Sequence, residues 1–386
     1  MFRYFEQNFS WSFAVSIATE MGAINEIDAA CAPLRPFQDQ PAEIALDRWY
    51  RSWDALGDKL SAQAVADAAE GHDFTAGMKY LRAAAYYQMG ERLMLVGDER
   101  RLPMYRKSLE AFASGVAGSG HRTRRIEIPY GNGVLAGWLA VPEGQGPHPC
   151  LIFANGFDST KEMLYLIHHD IAMQRGIATF FVDQGGSGEA LRLYDLKVER
   201  ESEAWVSLCV DRLQLEPDID RDRIGIIAVS FGGYIAPRAA AFEPRLKCCI
   251  AIGANPIGDK INPVDFEKDL SVHEIASHSM WLSGAATRDE ARRIFGSYTL
   301  TDALPRITCP FLVAHGEDDA PIPMEYAQWV IDLAVNSSRA ELRKFRSAEG
   351  ASFHCGIDDP ARMGHYCYDW AAEALGGSAR VRLSGR

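Results

Sequence analysis

Five short, almost unbroken apolar runs recur between residues 149 and 316: PCLIFA, IATFFVD, RIGIIAV, LKCCIAIGA and PFLVAHG. A strand with one wet face alternates apolar and polar residues, whereas a strand covered on both faces has no reason to. Stretches of helical character separate the runs. Such alternation predicts an α/β fold with a mostly parallel, doubly wound sheet. A weaker sixth candidate, AELRKFR, follows them. Ahead of them, RRIEIPYGNGVLAGWLAVPEG reads as two alternating runs around YGNG, a hairpin signature.

The flanks differ. Residues 1–120 are rich in Ala, Leu, Met and Tyr at helical spacing, as in DFTAGMKYLRAAAYYQMGERLMLV, and predict an N-terminal helical (cap) domain. No fixed period repeats there, which argues against a repeat array. Residues 121–386 then form the α/β domain. Residues 255–305 are too long for a simple crossover and read as a helical insertion forming a lid. The C-terminal GGSARVRLSGR reads as a frayed tail. A chain of 386 residues suits two such modules.

Acidic residues outnumber basic ones 52 to 40, giving a net charge of −12. That balance argues against nucleic acid and against an anionic membrane surface as partners. No stretch reaches the ~18 apolar residues of a membrane span. Glu6 and scattered serines break up the aromatic-rich N-terminus, which does not read as a signal peptide. Eight cysteines without a CxxC pair suggest scattered thiols in a reducing cytoplasm. Aromatic residues near positions 2–13 would want a partner, so a homodimer through the helical domain is expected.

The third apolar run ends in AVSFGGY, placing Ser230 at the tip of a buried strand. A nucleophile presented on a sharp strand-to-helix turn needs small neighbours, here Ala228 and Gly232, with Gly233 for close helix packing. The helix N-terminus behind it can stabilise a developing oxyanion. The bland alternative is a serine capping an ordinary helix. A serine nucleophile needs a base, and the base an orienting acid. FLVAHGEDDAPIP offers Asp319, with Asp318 as the alternative and Glu317 behind both. FRSAEGASFHCG carries His354 in a loop beyond the last candidate strand, and His365, within a helix-like run, competes with it. The oxyanion hole would combine the backbone N–H groups of Phe231 and Phe157, with Gly156 permitting the turn. Ser159 and Glu162 fit a capping box for the next helix.

The order Ser…Asp…His and the strand-tip serine resemble the α/β-hydrolase superfamily. RAAAYYQMGERLML, NGFDSTKEM and FHCG narrow the resemblance to the dihydroxypseudooxynicotine hydrolase group. That group includes fungal polyketide-shortening hydrolases and relatives of the fermentation-respiration switch protein. The resemblance covers most of residues 75–375. It implies the triad roles for Ser230, Asp319 and His354, and oxyanion-hole roles for Phe157 and Phe231. It also implies retro-Claisen-type cleavage of a carbon–carbon bond next to a ketone, in a small-molecule β-dicarbonyl or aryl ketone that is polyketide-like. A carboxylesterase is the alternative, a peptidase a third, and a non-catalytic binding protein of the same fold the alternative of another class. Two departures stand out: Ala228 where many hydrolases have Gly, and GASF before the histidine.

No cofactor and no metal are expected. FFVDQGGSGEA lacks both the P-loop lysine and the G-x-G-x-x-G spacing, and reads as a turn after a central strand. His168, His169 and Asp170 are badly spaced for a metal, as are His273 and His278. Trp281, with Met280 and Leu282, either lines a pocket or packs the insertion.

Overall fold

A computed structural model describes residues 2–268 and 275–376. His273 and almost all of the predicted tail lie outside the described residues. The chain divides into two compact units, residues 1–121 with 266–278, and residues 122–265 with 279–386.

The first unit is helical: α1 (Phe9–Met21), α2 (Ile24–Cys31), α3 (Ala42–Ala69), α4 (Asp73–Arg92) and α5 (Arg101–Gly118). Asn8 starts α1 by accepting the Trp11 N–H, as a capping side chain should. The core is a run of aromatic rings. Trp11 lies 4.9 Å from Trp49, Trp49 lies 5.4 Å from Trp53, and Trp53 lies 5.8 Å from Tyr86. Phe5 joins this run. Of the N-terminal aromatics expected at the surface, Phe5 and Trp11 are therefore buried, while Phe2 and Phe9 are exposed. Burying rings of this size is what stabilises a unit otherwise made of alanine-rich helices.

The second unit carries one eight-stranded sheet, order β1-β2-β4-β3-β5-β6-β7-β8. The hairpin strands β1 (Thr123–Tyr130) and β2 (Gly133–Ala140) are antiparallel, and β2 pairs antiparallel with β4. The predicted runs become β3 (His148–Ala154), β4 (Ala178–Val182), β5 (Ile219–Val229), β6 (Cys249–Ile252), β7 (Phe311–Gly316) and β8 (Ala340–Phe345), all parallel. Strands β3, β4, β6 and β7 are buried along their whole length. Their continuous apolar runs follow from that burial.

The connections supply α6 (Lys161–Met173), α7 (Gly188–Tyr194), α8 (Ser202–Leu213) and α9 (Gly232–Phe242). The insertion holds a 3-10 turn at Pro263–Lys268, α10 (Ile275–Ser283) and α11 (Arg288–Gly296). Helices α12 (Met324–Leu333) and α13 (Pro360–Ala374) complete the unit. α6 packs on α13, and α8 on α9. Met280 and Trp281 are half-buried, Leu282 is buried, and the Arg192 guanidinium stands over the Trp281 ring. All eight cysteines are unpaired, and burial holds the Cys248 and Cys249 thiols above their ordinary value.

Candidate active site

Strand β5 ends at Val229, and α9 begins at Gly232. Between them Ser230 has φ 55°, a left-handed conformation that is costly for a residue with a Cβ. Neighbouring backbone holds it there. Its N–H donates to the Ile252 carbonyl at 2.8 Å, and its carbonyl accepts the Gly233 N–H at 2.7 Å. The small residues act as the sequence suggests. A Cβ at Gly232 would lie 2.5 Å from the Ala228 methyl, so the Ala228 departure fills space that Gly232 leaves open. A Cβ at Gly233 would collide with the Gly253 carbonyl oxygen.

Ser230 Oγ lies 2.9 Å from His354 Nε2. His354 Nδ1 lies 2.9 and 3.0 Å from the two carboxylate oxygens of Asp319. The histidine sits in a short turn whose approach, within GASF, takes Gly350 and Ala351 through left-handed backbone at φ 83° and 59°. Burial disfavours a charge on His354, but the Asp319 carboxylate, together with Cys355, outweighs it and holds the imidazole well above its ordinary value. Burial likewise pushes Asp319 up, and the His354 charge with its hydrogen bond brings it below the usual carboxylate range.

The competing residues go elsewhere. Asp318 is exposed and accepts from the hydroxyls of Ser347 and Ser352. Glu317 accepts from the backbone and hydroxyl of Ser347. His365 is exposed on α13. Two neighbours were not singled out from sequence. His315, fully buried at the end of β7, accepts from Ala254 N–H on Nδ1 and donates from Nε2 to the Ile322 carbonyl. Ile322 N–H in turn donates to Asp319, so His315 braces the turn that carries the acid. Cys355, at φ 53°, donates from its thiol to the Ile252 carbonyl, and its sulfur lies 3.6 Å from His354 Nε2. A histidine closing an apolar run was a readable signal; the thiol carried none.

The loop after β3 runs beside the serine. Gly156 has an ordinary φ; a Cβ there would sit tightly, 3.1 Å from both Ser230 Cβ and the Val229 carbonyl oxygen. The rings of Phe157 and Phe231 are 6.2 Å apart. Phe231 occupies the position before α9, where helix N–H groups lack intrahelical acceptors. The capping box is displaced by one residue. Thr160, not Ser159, accepts the Met163 N–H and starts α6. Ser159 Oγ instead accepts the Gly156 N–H at 2.8 Å.

Glu162 is drawn inward rather than back to a cap. It joins Asp183 and Glu189 around the buried Lys161 ammonium, at 2.6, 2.8 and 2.6 Å respectively. Arg125 forms two 2.7 Å hydrogen bonds to Glu189. Three converging carboxylates resemble a cation site, but Lys161 is itself the cation among them. Burial raises Glu189, yet Lys161 and Arg125 overcome this and hold it down at about 2. Burial raises Glu162 above the usual carboxylate range, against the opposing pull of the Lys161 ammonium. Burial between Phe153 and Tyr368 pushes His168 down to about 3.

A mostly parallel sheet with a serine on the tight turn after β5, an acid after β7 and a histidine after β8 defines the α/β hydrolases. The model of the FrsA-like esterase family matches residues 46–288, and the chain belongs to that family. It is 28% identical over 334 residues to the 2,6-dihydropseudooxynicotine hydrolase of Paenarthrobacter nicotinovorans, covering 86% of each chain. It is also 28% identical to the 20-hydroxy-prefusarin hydrolase of Gibberella moniliformis, covering 84% of this chain and 87% of that one. The crystal structure of 2,6-dihydroxy-pseudo-oxynicotine hydrolase superposes with a TM-score of 0.79 at 27% identity, covering 94% of this chain and 97% of that one. The protein is therefore an enzyme, a hydrolase of the α/β fold. No helix among the described residues is long and apolar enough to cross a membrane.

Proposed function

We propose that this enzyme is a serine hydrolase that cleaves a carbon–carbon bond next to a ketone. The observation that carries the serine assignment is the unbroken hydrogen-bonded series from Ser230 Oγ through His354 to Asp319. The preference for a carbon leaving group rests on the resemblance to the dihydroxypseudooxynicotine hydrolase group, which the relatives above support.

In the reaction, Ser230 Oγ attacks the ketone carbon while its proton passes to His354 Nε2. Asp319 orients the imidazole and stabilises the imidazolium. The N–H groups of Phe231 and Phe157 receive the oxyanion. Collapse of the tetrahedral intermediate breaks the carbon–carbon bond and expels an enolate or electron-rich aryl carbanion. His354 gives that carbon its proton. The acyl group stays on Ser230. His354 then deprotonates a water, which attacks the acyl carbon; the second tetrahedral intermediate collapses, His354 returns the proton to the departing Ser230 Oγ, and a carboxylic acid is released.

An ester passes through the same steps with an alkoxide leaving group. The esterase name of the family favours this second reading. A panel of aryl β-diketones, acyl phenols and matched esters separates the two, with product masses followed. Carbon–carbon cleavage of at least one ketone supports the proposal. Efficient ester hydrolysis with every ketone left intact would make the enzyme a carboxylesterase.

A further inference from the structure

Resting on that reading, we propose that Asn155 and Gln184 are positioning residues that fix the oxyanion-hole loop at Gly156 and Phe157 against Ser230. The parallel ladder between β3 and β4 ends at the pair Ala154 and Val182. Beyond it the Gln184 side chain takes over. Asn155 N–H donates to Gln184 Oε1 at 3.1 Å, and Gln184 Nε2 donates to the Asn155 carbonyl at 3.1 Å. One amide thus pairs with both backbone groups of Asn155 and extends the ladder by a residue.

The Asn155 side chain is held as fully. Its Nδ2 donates to the Val182 carbonyl and to Asp183 Oδ1, both at 2.9 Å, and more distantly to Ser187 Oγ. Its Oδ1 accepts from Ser159 Oγ at 3.2 Å, and Ser159 Oγ accepts the Gly156 N–H. Asn155 is completely buried and Gln184 almost so. Asp183, the anchor of the clamp, is bonded to Lys161 through backbone and ammonium, both within 2.9 Å. The clamp ends immediately before Phe157, at the glycine where a Cβ would lie 3.1 Å from Ser230 Cβ. An oxyanion donor acts only if it is held where the charge develops. Five hydrogen bonds tie Asn155 to residues 182–187, and two more through Ser159 Oγ close the loop on itself around Phe157.

The chemistry at 184 is specific. Leu keeps the bulk and loses both bonds. Ionised Glu keeps the acceptor but faces the Asn155 carbonyl with a second acceptor; protonated Glu restores the donor.

The test uses the full chain with p-nitrophenyl acetate, a fluorophosphonate that labels the nucleophile, and a trifluoromethyl ketone that adds to the serine as an oxyanion. Gln184→Leu should lower kcat by about 10- to 100-fold with little change in KM, short of losing a whole donor. The number of sites titrated by the phosphonate should stay at the wild-type value while labelling slows and ketone affinity falls in proportion. The deficit of Gln184→Glu relative to wild type should shrink as pH falls. The clamp is overturned if Gln184→Leu labels as fast as wild type, or if its loss comes only from fewer titratable sites. Wild-type protein that is not labelled at Ser230 would instead sink the serine reading, and the clamp's role with it.

Discussion

His354 takes its proton affinity from two opposed effects, and activity should report which one wins. Burial alone would make the imidazole a weak base; the Asp319 carboxylate at 2.9 Å, with Cys355 adding to it, more than reverses this. The base is active only when neutral, so a raised value moves the acid limb of kcat/KM above the ordinary histidine pKa of about 6.5. Asp319→Asn should move that limb toward lower pH and cut kcat by about 10²- to 10⁴-fold. Asp318→Asn, at a carboxylate that accepts from Ser347 and Ser352 rather than from His354, should leave the limb where it is. A pH–rate series on the three proteins checks this. Equal shifts in both variants would mean that the acid is misassigned. Sequence ranked these neighbours but left both open. Adjacent residues in a turn point in different directions, and only the fold of the turn, braced by His315 and Ile322, sets which one faces the histidine.

At the scale of elements, the turn from β5 to α9 is where side-chain volume matters most. Gly233→Ala places a methyl into the Gly253 carbonyl, which is backbone and cannot move aside. It should abolish phosphonate labelling of Ser230 or greatly lower the folded yield. The alternation that betrays this element in sequence is strong because β3, β4, β6, β7 and the second half of β5 are buried and almost wholly apolar. The loops were harder to read. DQGGSG reads as a turn, and it is one, but nothing local reveals that Asp183 and Gln184 reach back to residues 155 and 161. The Lys161 cluster likewise draws on residues 125, 162, 183 and 189, which only the sheet brings together. Lys161→Met leaves three buried carboxylates without their central cation and should cost about 3–5 kcal/mol of stability. Chemical denaturation would register it as a lower midpoint; an unchanged midpoint would show that the cluster contributes no net stability.

For the whole molecule, the same His354–Asp319 pair links stability to pH. His354 holds its proton more tightly folded than unfolded, so its contribution is complete below about pH 6.5 and fades as pH rises through the raised folded value. Asp319 is held below the usual carboxylate range, so its contribution is complete above about pH 3.9 and is lost as pH falls through the lowered one. The pair therefore stabilises most between those limits. The difference in thermal midpoint between wild type and His354→Gln should be largest there and shrink on either side.

The proposed chemistry requires Ser230 to form a covalent acyl intermediate. Rapid mixing of the enzyme with an aryl β-diketone, acid quench and mass measurement of the Ser230 peptide tests that directly. The peptide should gain the mass of one acyl group in wild type, and Ser230→Ala should show neither adduct nor ketone cleavage. Cleavage that continues at the wild-type rate in Ser230→Ala would contradict the serine assignment and everything built on it.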